Sequence, residues 1–180
     1  MKTEEEQLIE GCVRRDQLAC KRLYDRYASK MYPLCLRYSD NELAAQDILH
    51  DGFIKVFNNI HRLREPAALG SWIRSVMVMT AINNWHKEKQ FVDVDTLEDT
   101  LESDYASYNE IYSDIDIHHI LKAVQELPKS YRFAFNLCEI EGYDFPDAAE
   151  KLGVSESTVR SNLSRAKQLL AAKLRKRRIV

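Results

Sequence analysis

An all-α chain of two small helical domains, an N-terminal helical bundle and a C-terminal helix-turn-helix domain joined by an acidic linker, is the fold class that three observations predict. Five Gly and four Pro in 180 residues leave too few turn formers for a many-stranded sheet. Apolar residues recur at spacings of three or four over most of the chain, the period of helices with one buried face. Charge sums to only −2 but is segregated. No Lys or Arg stands between Lys89 and Lys122, a stretch that holds nine acids from Asp93 to Asp116, and no acid follows Glu156, after which come eight basic residues from Arg160 to Arg178.

Apolar residues make up 45% and charged residues 30%, a balance that excludes a disordered tail. No run approaches the roughly 18 apolar residues of a membrane span. The start, MKTEEEQLIE, is acidic where a secretion signal is basic and then apolar. The cytoplasm is therefore the expected location. Cys12, Cys20, Cys35 and Cys138 form no CxxC pair, and three of them fall on helical stripes that would bury them, so all four are read as reduced core residues.

The first domain is expected over residues 1–90. Leu8, Cys12, Ala19, Leu23, Tyr27, Met31, Leu34 and Tyr38 mark a helix or helix pair over about 4–38. Ser39-Asp40-Asn41 is a break with N-cap chemistry. The next helix, about Glu42 to Ile60, turns Ile48, Leu49, Gly52, Phe53, Val56 and Phe57 inward and leaves Asp47, Asp51, Lys55 and Asn58 on its other face. Pro66 permits a third helix start, and that helix carries Trp72, Ile73, Val76, Thr80 and Ala81 to a polar end, Asn83 to Lys89. Trp72 and Trp85 can each be core or a stacking surface; core is favoured for Trp72. Residues 91–113 mix acids, Ser and Tyr without period and read as the linker. The second domain, 114–180, opens on a helix with Ile117, Ile120, Leu121 and Val124 inward, ended by Leu127-Pro128, and continues with a helix from Tyr131 to Ile140 closed by Gly142.

The most informative stretch is Asp144 to Leu174. Asp144 can cap a short helix with Pro146 in its first turn, Ala148 and Ala149 are small enough for close helix approach, Gly153-Val154 makes a tight turn, and Ser155 caps the next helix. A step of about 100° per residue puts Val159, Leu163, Ala166 and Leu170 on one face of that helix and Ser157, Ser161, Ser164 and Gln168 on the other, flanked by Arg160 and Arg165. Short hydroxyl side chains let a helix sit deep in a major groove, and flanking arginines reach phosphates or guanine edges.

From Leu127 onward, LPKSYRFAFNLCEIEGYDFPDAAEKLGVSESTVRSNLSRAKQLL closely resembles the promoter-binding C-terminal domain of extracytoplasmic-function sigma factors. AQDILHDGFIKVFNNI resembles the segment of that family that docks on the RNA polymerase clamp, and GSWIRSVMVMTAINNWHKEKQ the segment that binds and opens the upstream promoter element. The resemblance implies a specificity factor, not an enzyme, whose partners are core RNA polymerase, promoter DNA and an anti-sigma factor, often membrane-bound. It implies a polymerase-facing surface at Asp47, Asp51 and Lys55. Minus-10 contacts are implied at Met79, Asn83, His86 and Lys87, with Met79 and His86 departing from the family's usual Asn and Arg, changes that remove a polar and a permanently charged contact. Minus-35 contacts are expected from Ser155, Ser157, Thr158, Arg160, Ser161, Ser164 and Arg165. The acidic linker is either a nucleic-acid mimic or a solvated spacer.

The rival reading is a helix-turn-helix regulator that binds an operator as a dimer without polymerase. An enzyme finds no support: there is no Gly-rich phosphate loop, no HExxH and no nucleophile elbow, and His50, His61, His86, His118 and His119 lack metal-ligand spacing. No catalytic residue, cofactor or metal is expected.

Overall fold

The computed structural model describes residues 2–91 and 115–176. Among them every regular element is helical and none is a strand. The chain divides into two compact units, residues 1–36 with 42–87 and residues 37–41 with 88–180. The acidic linker lies outside the described residues apart from Phe91, the last residue of a helix.

The first unit is built on α1 (Glu4–Val13), α2 (Gln17–Tyr38), α3 (Glu42–Asn59) and α4 (Leu69–Phe91). Thr3 and Glu6 close a capping box: the Glu6 amide donates to Thr3 Oγ1 at 3.2 Å and the Thr3 amide to Glu6 Oε2 at 2.8 Å. The stretch over 4–38, expected as a helix or a helix pair, is a pair: it breaks at 14–16, where Arg15 takes φ 58° and Asp16 Oδ1 accepts the Ala19 amide at 2.9 Å. α2 then runs through Pro33 without interruption. Two short 3₁₀ turns, Ile60–Arg62 and Pro66–Ala68, join α3 to α4, with Pro66 in the first turn as expected.

Ile48, Leu49, Gly52, Phe53 and Val56 of α3 are buried, and Phe57 is half-buried. On α4 the buried stripe runs Ile73, Met77, Ala81, Trp85 in steps of four. Trp85 therefore belongs to the core, while Trp72, one residue off that stripe, is only half-buried. Cys12 and Cys35 are buried, Cys20 and Cys138 half-buried, and all four are free thiols, so two fill the core rather than three. Burial, with the Cys20 thiol beside it, pushes Cys12 up to about 12, which keeps it protonated at neutral pH.

The second unit contains α5 (Ile115–Gln125), α6 (Lys129–Phe135), α7 (Phe145–Leu152) and α8 (Glu156–Lys176). On α5 the inward residues are Ala123 and Val124, which meet Leu170, with Phe135 and Leu174 against them. Ile120, expected inside, is 41% exposed, because the small Ala123 is what the close approach of α8 requires; the side chain of Ile117 lies outside the described residues. The expected helix from Tyr131 to Ile140 changes pitch midway. α6 ends at Phe135 and a π-helical turn, Asn136–Ile140, follows, with the Glu141 amide donating to the Asn136 carbonyl at 2.8 Å. Gly142, at φ 76°, then reverses the chain.

Two polar residues lie fully buried here, Arg132 and Asn136. Arg132 donates to the carbonyls of Gln125 at 2.6 Å and Ser39 at 3.1 Å, and pairs with the Asp40 carboxylate. Asn136 Nδ2 donates to the Arg37 carbonyl at 2.8 Å. The two terminal nitrogens of the buried guanidinium are thus paired, while Nε has no hydrogen-bond partner. Burial pushes the Asp40 carboxyl up, but Arg132, together with Lys129 Nζ at 2.8 Å, outweighs it and holds the group below the ordinary carboxylate range.

A Cβ placed on Gly11 would stand 2.4 Å from the Cβ of Ala19, with no flexible atom to yield. Gly11→Ala is accordingly expected to destabilise the first unit by about 1–2 kcal/mol in chemical denaturation, the overpacking exceeding the helix propensity that Ala adds. Because the Asp40 carboxyl is depressed in the folded state, its contribution is present above its unfolded value and is lost as pH falls through the folded one. Asp40→Asn should therefore melt below the unaltered protein at pH 7, and the gap should close below about pH 4.

Candidate nucleic-acid interface

The α7-turn-α8 segment is assembled by local chemistry at each step. Asp144 Oδ1 accepts the Asp147 amide at 2.9 Å, and Pro146 sits in the first turn of α7. Ala148, Ala149 and Leu152 are buried. Gly153 adopts the left-handed conformation at φ 64° and ψ 37°, and the Val154 amide closes the helix end on the Ala149 carbonyl at 3.1 Å. Ser155 Oγ accepts the Thr158 amide at 3.2 Å and starts α8.

On α8 the seam of Val159, Leu163, Ala166 and Leu170 is buried, and Ser157, Ser161, Ser164 and Gln168 stand exposed on the far side. The hydroxyls of Ser155, Ser157 and Thr158 cluster, Ser155 Oγ lying 2.8 Å from each of the other two. The Arg160 guanidinium lies 4.0 Å from the centroid of the Phe145 ring and 3.7 Å from the Glu156 carboxylate. Arg165 Nη1 donates to Tyr131 Oη at 3.1 Å. Lys167 and Lys173 are paired elsewhere, with Glu139 at 2.7 Å and Glu126 at 3.0 Å. The seven expected minus-35 residues thus share one exposed side of the unit, and the two arginines bracket its serines.

In the first unit, Met79, Asn83 and Lys87 follow one another at steps of four along α4; Met79 is half-buried and the other two exposed. His86 stacks on Trp85, ring centroids 5.7 Å apart and planes 23° apart. On α3, Asp47 and Asp51 are exposed in line with Leu43 and Ile54, which are 70% and 58% exposed. Lys55 is half-buried and donates to Thr80 Oγ1 at 3.1 Å, so its ammonium is held against α4. Two apolar positions that sequence reasoning passed over, Leu43 and Ile54, were legible as the residues four before Asp47 and three after Asp51, off the buried period. Among the described residues no three His, Cys, Asp or Glu side chains are grouped to hold a metal, and no helix is long and apolar enough to cross a membrane.

Both units have counterparts among known proteins. Residues 23–91 match the model of sigma-70 region 2, and residues 118–170 match that of sigma-70, region 4. The chain is 30% identical over 145 residues to the RNA polymerase sigma factor SigV of Bacillus subtilis, covering 81% of this chain and 84% of that one. It is 27% identical to the ECF RNA polymerase sigma-E factor of Haemophilus influenzae, covering 93% of each. Its fold is similar to that of the sigma factor RpoE of Bartonella quintana, solved with the anti-sigma factor NepR, with a TM-score of 0.52, 20% identity, and 86% and 96% of the two chains covered. The chain belongs to the extracytoplasmic-function class of the sigma-70 family and is a transcription-initiation subunit of bacterial RNA polymerase.

Proposed function

We propose that the chain divides promoter recognition between two functional domains, 1–90 for the polymerase clamp and the minus-10 element and 114–180 for the minus-35 element, joined by residues 91–113. The observation that carries this reading is the exposed face of α8, where serines and two arginines stand on a helix whose opposite seam is fully committed to the core. A helix so supported can enter a major groove without unfolding anything.

Asp47 and Asp51, with Leu43 and Ile54 beside them, make an acidic and apolar strip suited to a basic, apolar-lined surface of core polymerase. Met79, Asn83, His86 and Lys87 face the unpaired minus-10 strand. Unstacking each base costs a few kcal/mol, which stacking and polar contacts at a binding site offset. Alone the protein binds DNA weakly; on polymerase the two contacts act together, and the effective concentration of the second is set by the first. It acts in the cytoplasm, carries no catalytic group of its own, and is held inactive by an anti-sigma factor, a partner that in this family is often membrane-bound. Matches to both regions in one chain disfavour the rival operator-binding regulator.

Gel filtration with core RNA polymerase should move the protein into the polymerase peak, and Asp47→Arg with Asp51→Arg should abolish the shift. A dimer that binds an operator without polymerase would overturn the assignment. Arg160→Ala and Arg165→Ala should each lower transcription from a minus-35-dependent promoter by about tenfold, in line with about 1–3 kcal/mol for a base contact, with polymerase co-elution unchanged.

A further inference from the structure

The arginines that flank the recognition serines are not free side chains. Arg160 lies 4.0 Å over the ring of Phe145, the first residue of α7, and Arg165 bonds to the hydroxyl of Tyr131, on α6, at 3.1 Å. Neither aromatic residue belongs to α8, and neither fills the core: both are half-buried. Each is rigidly mounted. Phe145 follows the Asp144 cap, and Tyr131 precedes Arg132, whose buried guanidinium fixes α6 by its bond to the Gln125 carbonyl at 2.6 Å. An unrestrained arginine loses much rotamer freedom when it engages a base or phosphate, and a side chain already held in place loses less.

We propose that Phe145 and Tyr131 are positioning residues for minus-35 recognition, Phe145 orienting Arg160 by a cation–π contact and Tyr131 orienting Arg165 by a hydrogen bond. The inference rests on the reading of α8 as the minus-35 helix. The Glu156 carboxylate, 3.7 Å from Arg160, leaves the guanidinium only partly neutralised in this exposed setting, so the charge remains available to DNA. Phe145 can also screen Arg160 from water on one face, leaving its edge donors for the groove.

The test uses the full chain assembled with core RNA polymerase and a pool of promoter DNA randomised over the minus-35 element, read as bound sequences and as affinity for the best-enriched duplex. Phe145→Leu is expected to weaken that duplex by about two- to fivefold, and Phe145→Tyr, which keeps the ring, to restore it. Tyr131→Phe is expected to weaken it by about two- to tenfold and to relax base preference at the position Arg165 contacts. In an Arg160→Ala background Phe145→Leu should have no further effect, and in an Arg165→Ala background neither should Tyr131→Phe, the signature of action through the arginine. Unchanged melting temperatures and polymerase co-elution separate this from a folding defect. Full affinity or tighter binding in Phe145→Leu and Tyr131→Phe, with the arginine variants impaired, overturns the positioning role alone. Unimpaired Arg160→Ala and Arg165→Ala overturn the minus-35 reading and the inference with it.

Discussion

Burial of one seam of α8, formed by Val159, Leu163, Ala166 and Leu170, is the constraint on which the rest of the second unit depends. The helix supplies core packing on one side and exposed serines and arginines on the other, and a period of 3.6 lets one sequence serve both. Each seam residue is apolar and of modest size, so α5, α6 and α7 can close around it. The small residues opposite, Ala123 on α5 and Ala148 and Ala149 on α7, reflect the same demand for close approach.

The second unit also carries an unusual buried polar centre. Arg132 and Asn136, four residues apart, are both inaccessible: Arg132 Nη1 donates to the Gln125 and Ser39 carbonyls and Nη2 pairs with the Asp40 carboxylate, Asn136 Nδ2 donates to the Arg37 carbonyl, and Arg132 Nε and Asn136 Oδ1 have no hydrogen-bond partner. Replacing carbonyl–water bonds by bonds to a buried guanidinium yields little net stability, but it favours the geometry in which Nη1 meets both carbonyls and Nη2 meets Asp40. The π-helical turn that begins at Asn136 fits this view: the side-chain amide takes up one carbonyl while the widened turn satisfies the main chain. Because Tyr131 and Arg132 are adjacent, the same stretch of α6 faces inward with its guanidinium and outward with its phenol.

In the first unit polar groups are divided between faces more simply. α3 buries one side and exposes Leu43, Asp47, Asp51 and Ile54 on the other, an apolar and acidic strip with no partner within its own helix. Exposed apolar residues among carboxylates mark a surface made for another protein more than for water. Lys55 shows the opposite tendency, its ammonium turned to the buried Thr80, whose hydroxyl in turn donates to the Val76 carbonyl at 2.7 Å.

Local rules were enough to read much of this chain from its residues. The caps at Asp144 and Ser155, the left-handed Gly153, the Pro66 turn and the α8 seam all follow from side chains within four residues of one another, and helical period reports those faithfully. What local rules cannot reach are choices made between elements. Whether Trp72 or Trp85 enters the core depends on which stripe of α4 meets its neighbours. Whether Ile120 or Ala123 faces inward depends on how closely α8 approaches α5, and the burial of Arg132 on carbonyls some ninety and seven residues away. The pairing of Phe145 with Arg160 and of Tyr131 with Arg165 belongs to the same class. Sequence by itself determined that the chain is helical, where its capped turns at Asp144, Gly153 and Ser155 fall, and the buried seam of α8, because those are set by nearest neighbours along the chain; tertiary structure alone decided where α6 gives way to a π-helical turn, which side chains are inside and which arginines are held, because packing and hydrogen-bond satisfaction are settled only when distant segments meet.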